Sequence, residues 1–405
     1  MTPLAEHRPA EQGTDARVIG LVAAAHFVSH YYILVLPPLF TVIRADFDVS
    51  YTQLGIALTV FNVISALLQT PAGFLIDKVN VRASLVIGIL LGSAGLIGAA
   101  LLPSFWWFVA MYALLGLGNT VYHPADYSLL SRHVSPQRMG HAYSIHTFAG
   151  LLGGAVAPGS LILMAERYGW RTAFLGAAML GIAVAALIVV FGSPMSGADK
   201  ATAPRERETE PVNVGWSLLL SGPVLLNLLF FVLIALSNSG LQNYGVVALD
   251  AMRGTPLVVA NAGLTSLLLM GAIGVLLGGM LSMRTTKHGV VAATGLAVSG
   301  LMIVPIVLFD VGPALLIILF GVAGLANGIV MPSRDLLVRA VTPPGAFGKV
   351  FGFVTTGFNI GGMISPILYG WLLDNGSARN VFLVAIAFGV AAIPTVLVNA
   401  AQHRR

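Results

Sequence analysis

The sequence predicts an all-α integral membrane protein with twelve transmembrane helices in two pseudo-symmetric six-helix bundles. Hydrophobic residues make up 57% of the chain and charged residues 9%, against about a quarter charged in an ordinary soluble domain. A soluble fold cannot hide that much apolar surface, so the bilayer is the solvent. The apolar residues also fall into long continuous runs rather than short alternating ones, which selects helices over a barrel. Finally, one sparse pattern occurs twice at an offset of 208 residues. Gly116-Leu117-Gly118-Asn119 leads to Pro124, Gly140, Gly154, Pro158, Arg171 and Phe174; Gly324-Leu325-Ala326-Asn327 leads to Pro332, Gly348, Gly362, Pro366, Arg379 and Phe382. Paired bundles of this kind carry binding sites between their repeats and are a signature of transporters.

A spanning helix needs about 20 mainly apolar residues. Twelve segments meet this: 18–43, 53–76, 83–102, 105–131, 140–164 and 172–192, then 217–246, 259–283, 289–309, 314–340, 347–373 and 380–399. They divide into a bundle over 1–192 and a second over 217–405. Between them, 193–216 is polar, mixed in charge and carries Pro194, Pro204 and Pro211, the composition of a flexible cytoplasmic linker. The first 17 residues mix Glu6, Glu11 and Asp15 with Arg8 and Arg17 and lack the basic opening of a signal peptide, so the first helix is expected to be retained.

With the N-terminus inside, fifteen Lys and Arg residues, among them Lys78, Arg82, Arg132 and Arg138, lie on the cytoplasmic side. Only Arg44, Arg167, Arg171, Arg253 and Arg379 lie outside. This asymmetry predicts cytoplasmic termini in a bacterial inner membrane. The net charge of +5 is scattered over loops and forms no nucleic-acid patch. The absence of cysteine excludes disulfides, thiol catalysis and cysteine metal sites. No cofactor or metal is expected, and the chain is expected to be a monomer whose partners are lipid and a small solute.

After the second segment comes Gly73-Phe74-Leu75-Ile76-Asp77-Lys78-Val79-Asn80-Val81-Arg82. It resembles the G-x-x-x-D-(R/K)-x-G-x-(R/K) signature of the major facilitator superfamily, with Asn80 where a glycine is usual. A decayed counterpart, Gly279-Met280-Leu281-Ser282-Met283-Arg284, has Met283 in place of the acid. The resemblance covers essentially the whole chain and implies the major facilitator fold and secondary transport by alternating access. It also implies a gating role for Gly73, Asp77, Lys78 and Arg82, with Asp77 near the positive N-terminus of the helix that starts around Gly348. Ala25-His26-Phe27-Val28-Ser29-His30 and Val121-Tyr122-His123-Pro124 resemble the fosmidomycin-resistance efflux branch of that superfamily. Two departures weigh against proton-driven drug efflux: Tyr112 stands where the drug-antiporter arginine belongs, and the antiporter glycine–proline motif is only partial at 153–159.

Asn119, His123 and Asp126 lie at i, i+4 and i+7 and share one helix face. The repeat maps them onto Asn327, Met331 and Arg334. Pseudo-symmetry therefore presents Asp126 and Arg334 to the central cavity from opposite halves, to pair, to line water or to bind substrate. An ionised side chain at mid-membrane costs about 2.5–3.5 kcal/mol, so such residues point to function. Asp335 lies about 100° around the helix from Arg334. His26 and His30 add a second i, i+4 pair, flanked by Tyr31 and Tyr32, and His146 comes from the fifth segment. His30 maps onto Asn238, with Gln242 one turn further on. The expected substrate site comprises Arg334, Asp126, His30, His123, Tyr31, Tyr122, Asn119, Asn327, Asn238, Gln242 and His146. Asp126, Asp335 and His30 are the candidates for proton coupling.

These observations predict a secondary active transporter for a small anionic organic solute, coupled to a co- or counter-transported proton or anion. Alternatives are efflux of a phosphonate antibiotic or another drug, a non-transporting nutrient receptor, and an intramembrane enzyme. The sequence has no H-E-x-x-H, G-x-G-D or P-loop motif to support the last.

Overall fold

The computed structural model describes residues 9–76, 79–196, 216–343 and 347–402, and among these it contains helices and no strand. The first half comprises α1 (Pro9–Ile33), α2 (Tyr51–Ile76), α3 (Val81–Leu101), α4 (Phe105–His133), α5 (Met139–Tyr168) and α6 (Trp170–Phe191). The second comprises α7 (Gly222–Asn243), α8 (Leu257–Ser282), α9 (His288–Leu308), α10 (Pro313–Ala340), α11 (Phe347–Asp374) and α12 (Ala378–Gln402). Among the described residues, eleven helical stretches are long and apolar enough to cross a membrane, and all of these helices but α4 are represented in them. At 29 residues α4 is long enough, but its apolar run is interrupted by Asn119, His123 and Asp126.

Local chemistry sets the helix ends. Asn80 caps α3, its side chain accepting from Ala83 N–H at 3.0 Å, and Ser104 caps α4 by accepting from Trp107 N–H at 3.4 Å. Between α5 and α6, Gly169 has φ 82°, a conformation that costs glycine little.

Two expected helices are interrupted. The run 18–43 is not continuous: α1 ends at Ile33, a 3₁₀ turn spans Pro37–Leu39, and a short helix follows at Phe40–Phe47. Pro37 and Pro38 have no N–H with which to continue the helical ladder. The run 217–246 likewise resolves into Trp216–Leu219, α7 and a short helix Gly245–Arg253, with Tyr244 at the bend. The two short helices end alike, in left-handed residues Asp48 (φ 50°) and Gly254 (φ 62°). They meet across the halves where Thr41 Oγ1 donates to Asp250 at 3.4 Å. Most of the linker 193–216 lies outside the described residues.

Within each half, glycine allows backbone-to-backbone packing, as small residues do in membranes. A Cβ on Gly118 of α4 would sit 2.6 Å from Gly88 O of α3, and one on Gly278 of α8 would sit 2.6 Å from Ile329 O of α10. Between the halves, α2 packs on α11 and α5 on α8. Among the described residues, the hydrogen bonds joining the halves gather at one end. The Asp374 carboxylate accepts from Tyr51 N–H (2.7 Å), Thr52 N–H (2.8 Å) and Thr52 Oγ1 (2.5 Å), capping α2 from the opposite half. Thr59 Oγ1 donates to Met363 O at 3.2 Å, Asn62 Nδ2 to Gly362 O at 3.0 Å, and Asn261 Nδ2 to Pro38 O at 3.5 Å. Away from this closed end, Tyr127, Tyr143 and Phe148 of the first half remain exposed on helices that face the interior.

An acidic cap at a helix N-terminus contributes about 1 kcal/mol, so Asp374→Asn should shift the balance towards opening of this end about fivefold. The chain has no cysteine, so spin labels on Ala45→Cys and Asn375→Cys report that opening as a longer label-to-label distance. An unchanged distance distribution would show that Asp374 does not latch the end.

Candidate functional site

Three helices of the first half build the centre of the site. Helix α1 supplies His26 and His30, α4 supplies His123, Asp126 and Tyr127, and α5 supplies Tyr143 and His146, each set at helical i, i+3 or i+4 spacing. Asp126 is fully buried, and its Oδ2 lies 3.2 Å from His26 Nδ1 and 3.1 Å from His146 Nε2. The His26 and His146 rings stack with centroids 3.6 Å apart. His30 and His123 flank them, their centroids 4.7 Å and 5.1 Å from that of His26. Tyr127 leans on His146 at 5.3 Å and on Tyr143 at 5.5 Å. Gly150 makes the cluster possible: a Cβ there would lie 2.5 Å from His26 Cδ2 and 2.9 Å from His30 Cδ2.

The second half answers with a base. Arg334 of α10 occupies the repeat position of Asp126, but the two do not pair. Arg334 Nε donates to Asp335 Oδ1 at 2.9 Å, and its guanidinium sits over Phe231 (4.8 Å) and Phe358 (5.3 Å). Phe358 holds the repeat position of Gly150, so a ring fills in the second half the space that histidines fill in the first. Cation–π contact lowers the cost of holding a guanidinium in apolar surroundings. Of the expected options, a cross-cavity pair is not the one formed: each charge has its contacts within its own half. The Arg334 side chain is 12% exposed and Asp335 is 45% exposed. Asp335 lies close enough to Tyr127 of α4 to act on it electrostatically.

The sequence profile of the Major Facilitator Superfamily matches residues 22–310 and 253–404. The chain belongs to the Major Facilitator Superfamily. This transporter is 26% identical over 400 residues to the fosmidomycin resistance protein of Escherichia coli, covering 96% of this chain and 95% of that protein. It is 24% identical over 426 residues to a probable sulfoacetate transporter of Cupriavidus necator, covering 95% and 94%. Its fold matches the crystal structure of a bacterial homologue of the human lysosomal transporter Spinster, in an inward-facing and occupied conformation, with a TM-score of 0.74, 16% identity and 98% coverage of both chains. The protein is thus a multi-pass membrane transporter and not an enzyme.

The remaining expected residues of the transporter spread over several environments. Asn119 Nδ2 donates to Ser65 Oγ at 3.2 Å, tying α4 to α2. Asn327 Nδ2 donates to Asn238 Oδ1 at 2.6 Å in a niche that Ser237 and Ser299 also line. Gln242 is half-buried one turn further on. Tyr31 OH bonds Ser160 Oγ at 2.8 Å, joining α1 to α5. Tyr122 is 2% exposed one turn before Asp126 on α4, its hydroxyl buried without a hydrogen-bond partner. In the gating motif, Gly73 faces Pro124, and Asp77 and Lys78 lie outside the described residues. Arg82 donates to Ile188 O at 3.2 Å and Val189 O at 2.5 Å, capping the C-terminus of α6 within its own half. His26, Tyr127, Tyr143, Phe231 and Phe358 belong to the site but not to the expected set. Tyr127 at i+4 from His123, and Phe358 at the repeat position of Gly150, were the available signals.

Gly150→Val should overpack the histidine cluster and destabilise the protein by about 1–3 kcal/mol, read as a lowered melting temperature in detergent. Gly140→Val, on the same helix with nothing within 4 Å of an added Cβ, serves as the control. Equal melting of the two variants would contradict the packing described for Gly150.

Proposed function

We propose that the protein is a proton-coupled secondary transporter of a small organic anion, with Arg334 as the anion anchor and Asp126 as the proton carrier. The observation that carries this reading is the separation of the two charges. Asp126 is enclosed by histidines in one half, whereas Arg334 keeps only Nε engaged, leaving the terminal nitrogens of its planar fork for an incoming carboxylate, phosphonate or sulfonate. Among the described residues those nitrogens make no hydrogen bond. The relatives lend support to an anionic substrate, since fosmidomycin is a phosphonate and sulfoacetate a sulfonate.

With cytoplasmic termini, as the charge asymmetry predicts, the closed end that carries Tyr51 and Asp374 faces outward and the cavity opens to the cytoplasm. The bundles then exchange access by rocking about the α2–α11 and α5–α8 contacts. A second reading, export of a phosphonate antibiotic, is favoured by the likeness to the fosmidomycin resistance protein. It uses the same anchor to carry the anion outward.

Anchor and carrier are tested separately. In purified protein, carboxylates, sulfonates or phosphonates including fosmidomycin should raise the melting temperature, and Arg334→Gln should weaken that binding about 10- to 100-fold. Stabilisation by lipophilic cations instead, or by anions equally in the variant, would overturn the anion reading. In proteoliposomes, Asp126→Asn should abolish the pH dependence of net transport while preserving counterflow. Unchanged pH dependence would remove Asp126 from coupling.

A further inference from the structure

The contacts of Asp126 leave a specific deficit. An ionised carboxylate has no proton to donate, so both of its imidazole contacts are N–H donations, from His26 Nδ1 and from His146 Nε2. A neutral His146 with its proton on Nε2 has a bare lone pair on Nδ1. That Nδ1 is buried without a hydrogen-bond partner, and so is Asp126 Oδ1. With Asp126 ionised and His146 neutral, the centre holds two empty acceptors, and nothing among the described residues donates to them. Buried polar atoms are seldom left unmatched, so two on contacting side chains identify what the site lacks.

We infer that His26, Asp126 and His146 form one proton-sharing unit, and that His146 Nδ1 is the port through which the proton enters from the cavity. The inference rests on the proposed proton coupling and assigns it to three residues acting together. The proton would reach the port past Tyr143 and Tyr127, which are 36% and 47% exposed, and from His146 it would pass through Nε2 to the shared Oδ2. His26 and His146 are positioning residues for the carboxylate as well as partners in sharing the charge.

Other titratable groups near the unit are few. His30 lies on α1, and His123, Tyr122 and Tyr127 lie on α4. Tyr143 lies on α5, and Asp335 acts on Tyr127 from α10 beside Arg334. Helices α2 and α8, which pack on α4 and α5, carry no charged residue. The bases of α3 and α6, Arg82 and Arg171, sit in first turns and bond elsewhere. The three ligand atoms also lie within 4.8 Å of one another, a spacing that would suit a divalent metal, so the test must separate proton from metal.

The readout is the infrared carboxyl band of Asp126 in full-length protein in lipid, titrated with pH and assigned by its loss in Asp126→Asn. His146→Gln keeps a donor at the Nε2 position and His26→Asn keeps one at the Nδ1 position, so both can hold the carboxylate while removing an imidazole. In the parent protein the coupled unit should titrate over a range broader than one group allows. Each variant should narrow that range and move the midpoint by about one pH unit or more. A parent-like titration in both variants would overturn the shared unit. So would stoichiometric Zn²⁺ found in the purified protein and lost in either variant, which would make the trio a metal site. Because no substrate is needed, these failures are distinct from a failure of coupling, which would appear as pH-independent anion transport in the parent protein.

Discussion

A charge inside a bilayer must be satisfied by the protein that carries it, and the architecture of the first half follows from one such charge. Asp126 is fully buried on α4, and a bare carboxylate at that depth costs at least about 2.5–3.5 kcal/mol. Two imidazoles from two other helices meet it at 3.1–3.2 Å. Their approach fixes α1, α4 and α5 relative to one another, and the missing side chain at Gly150 gives the rings room. The small residues that pack the helices thus share one purpose with the polar residues between them.

The repeat carries the same constraint into the second half with the opposite sign. Arg334 stands where Asp126 stands in the first half and is accommodated by a neighbouring acid and two phenylalanine faces. Neither charge is paired across the cavity, so no buried salt bridge ties the halves together there. What joins them at the closed end is a set of exchangeable hydrogen bonds centred on Asp374, Asn62 and Thr59. A cross-cavity Asp126–Arg334 salt bridge would instead have tied the rocking units together. Breaking a buried pair by removing one partner is worth several kcal/mol.

Much of the fold was legible because hydrophobic runs and a constant repeat offset are one-dimensional signals. The two interrupted helices escaped for the same reason: Leu34–Leu39 and Gly245–Ala248 are as apolar as their surroundings, although Pro37 and Pro38 marked the first break. The site was legible as a set of faces. Helical spacing grouped Asn119 with His123 and Asp126, and the offset found Arg334. Spacing could not show which neighbour satisfies which charge, since that depends on how α1 and α5 rotate against α4. Tyr122 lies one turn from Asp126, and spacing alone could not show that it is buried with it. His26 was undervalued because its partner Asp126 is 100 residues away.

The central claim is that anion and proton occupy separate halves and communicate. Calorimetric titration of the purified protein with a stabilising anion, repeated in two buffers of different ionisation enthalpy, counts the protons exchanged on binding. The account predicts a non-zero proton exchange in the parent protein and none in Asp126→Asn, with affinity retained. Zero exchange in the parent protein at every pH between about 5 and 8, the range in which an ordinary histidine changes charge, would contradict it.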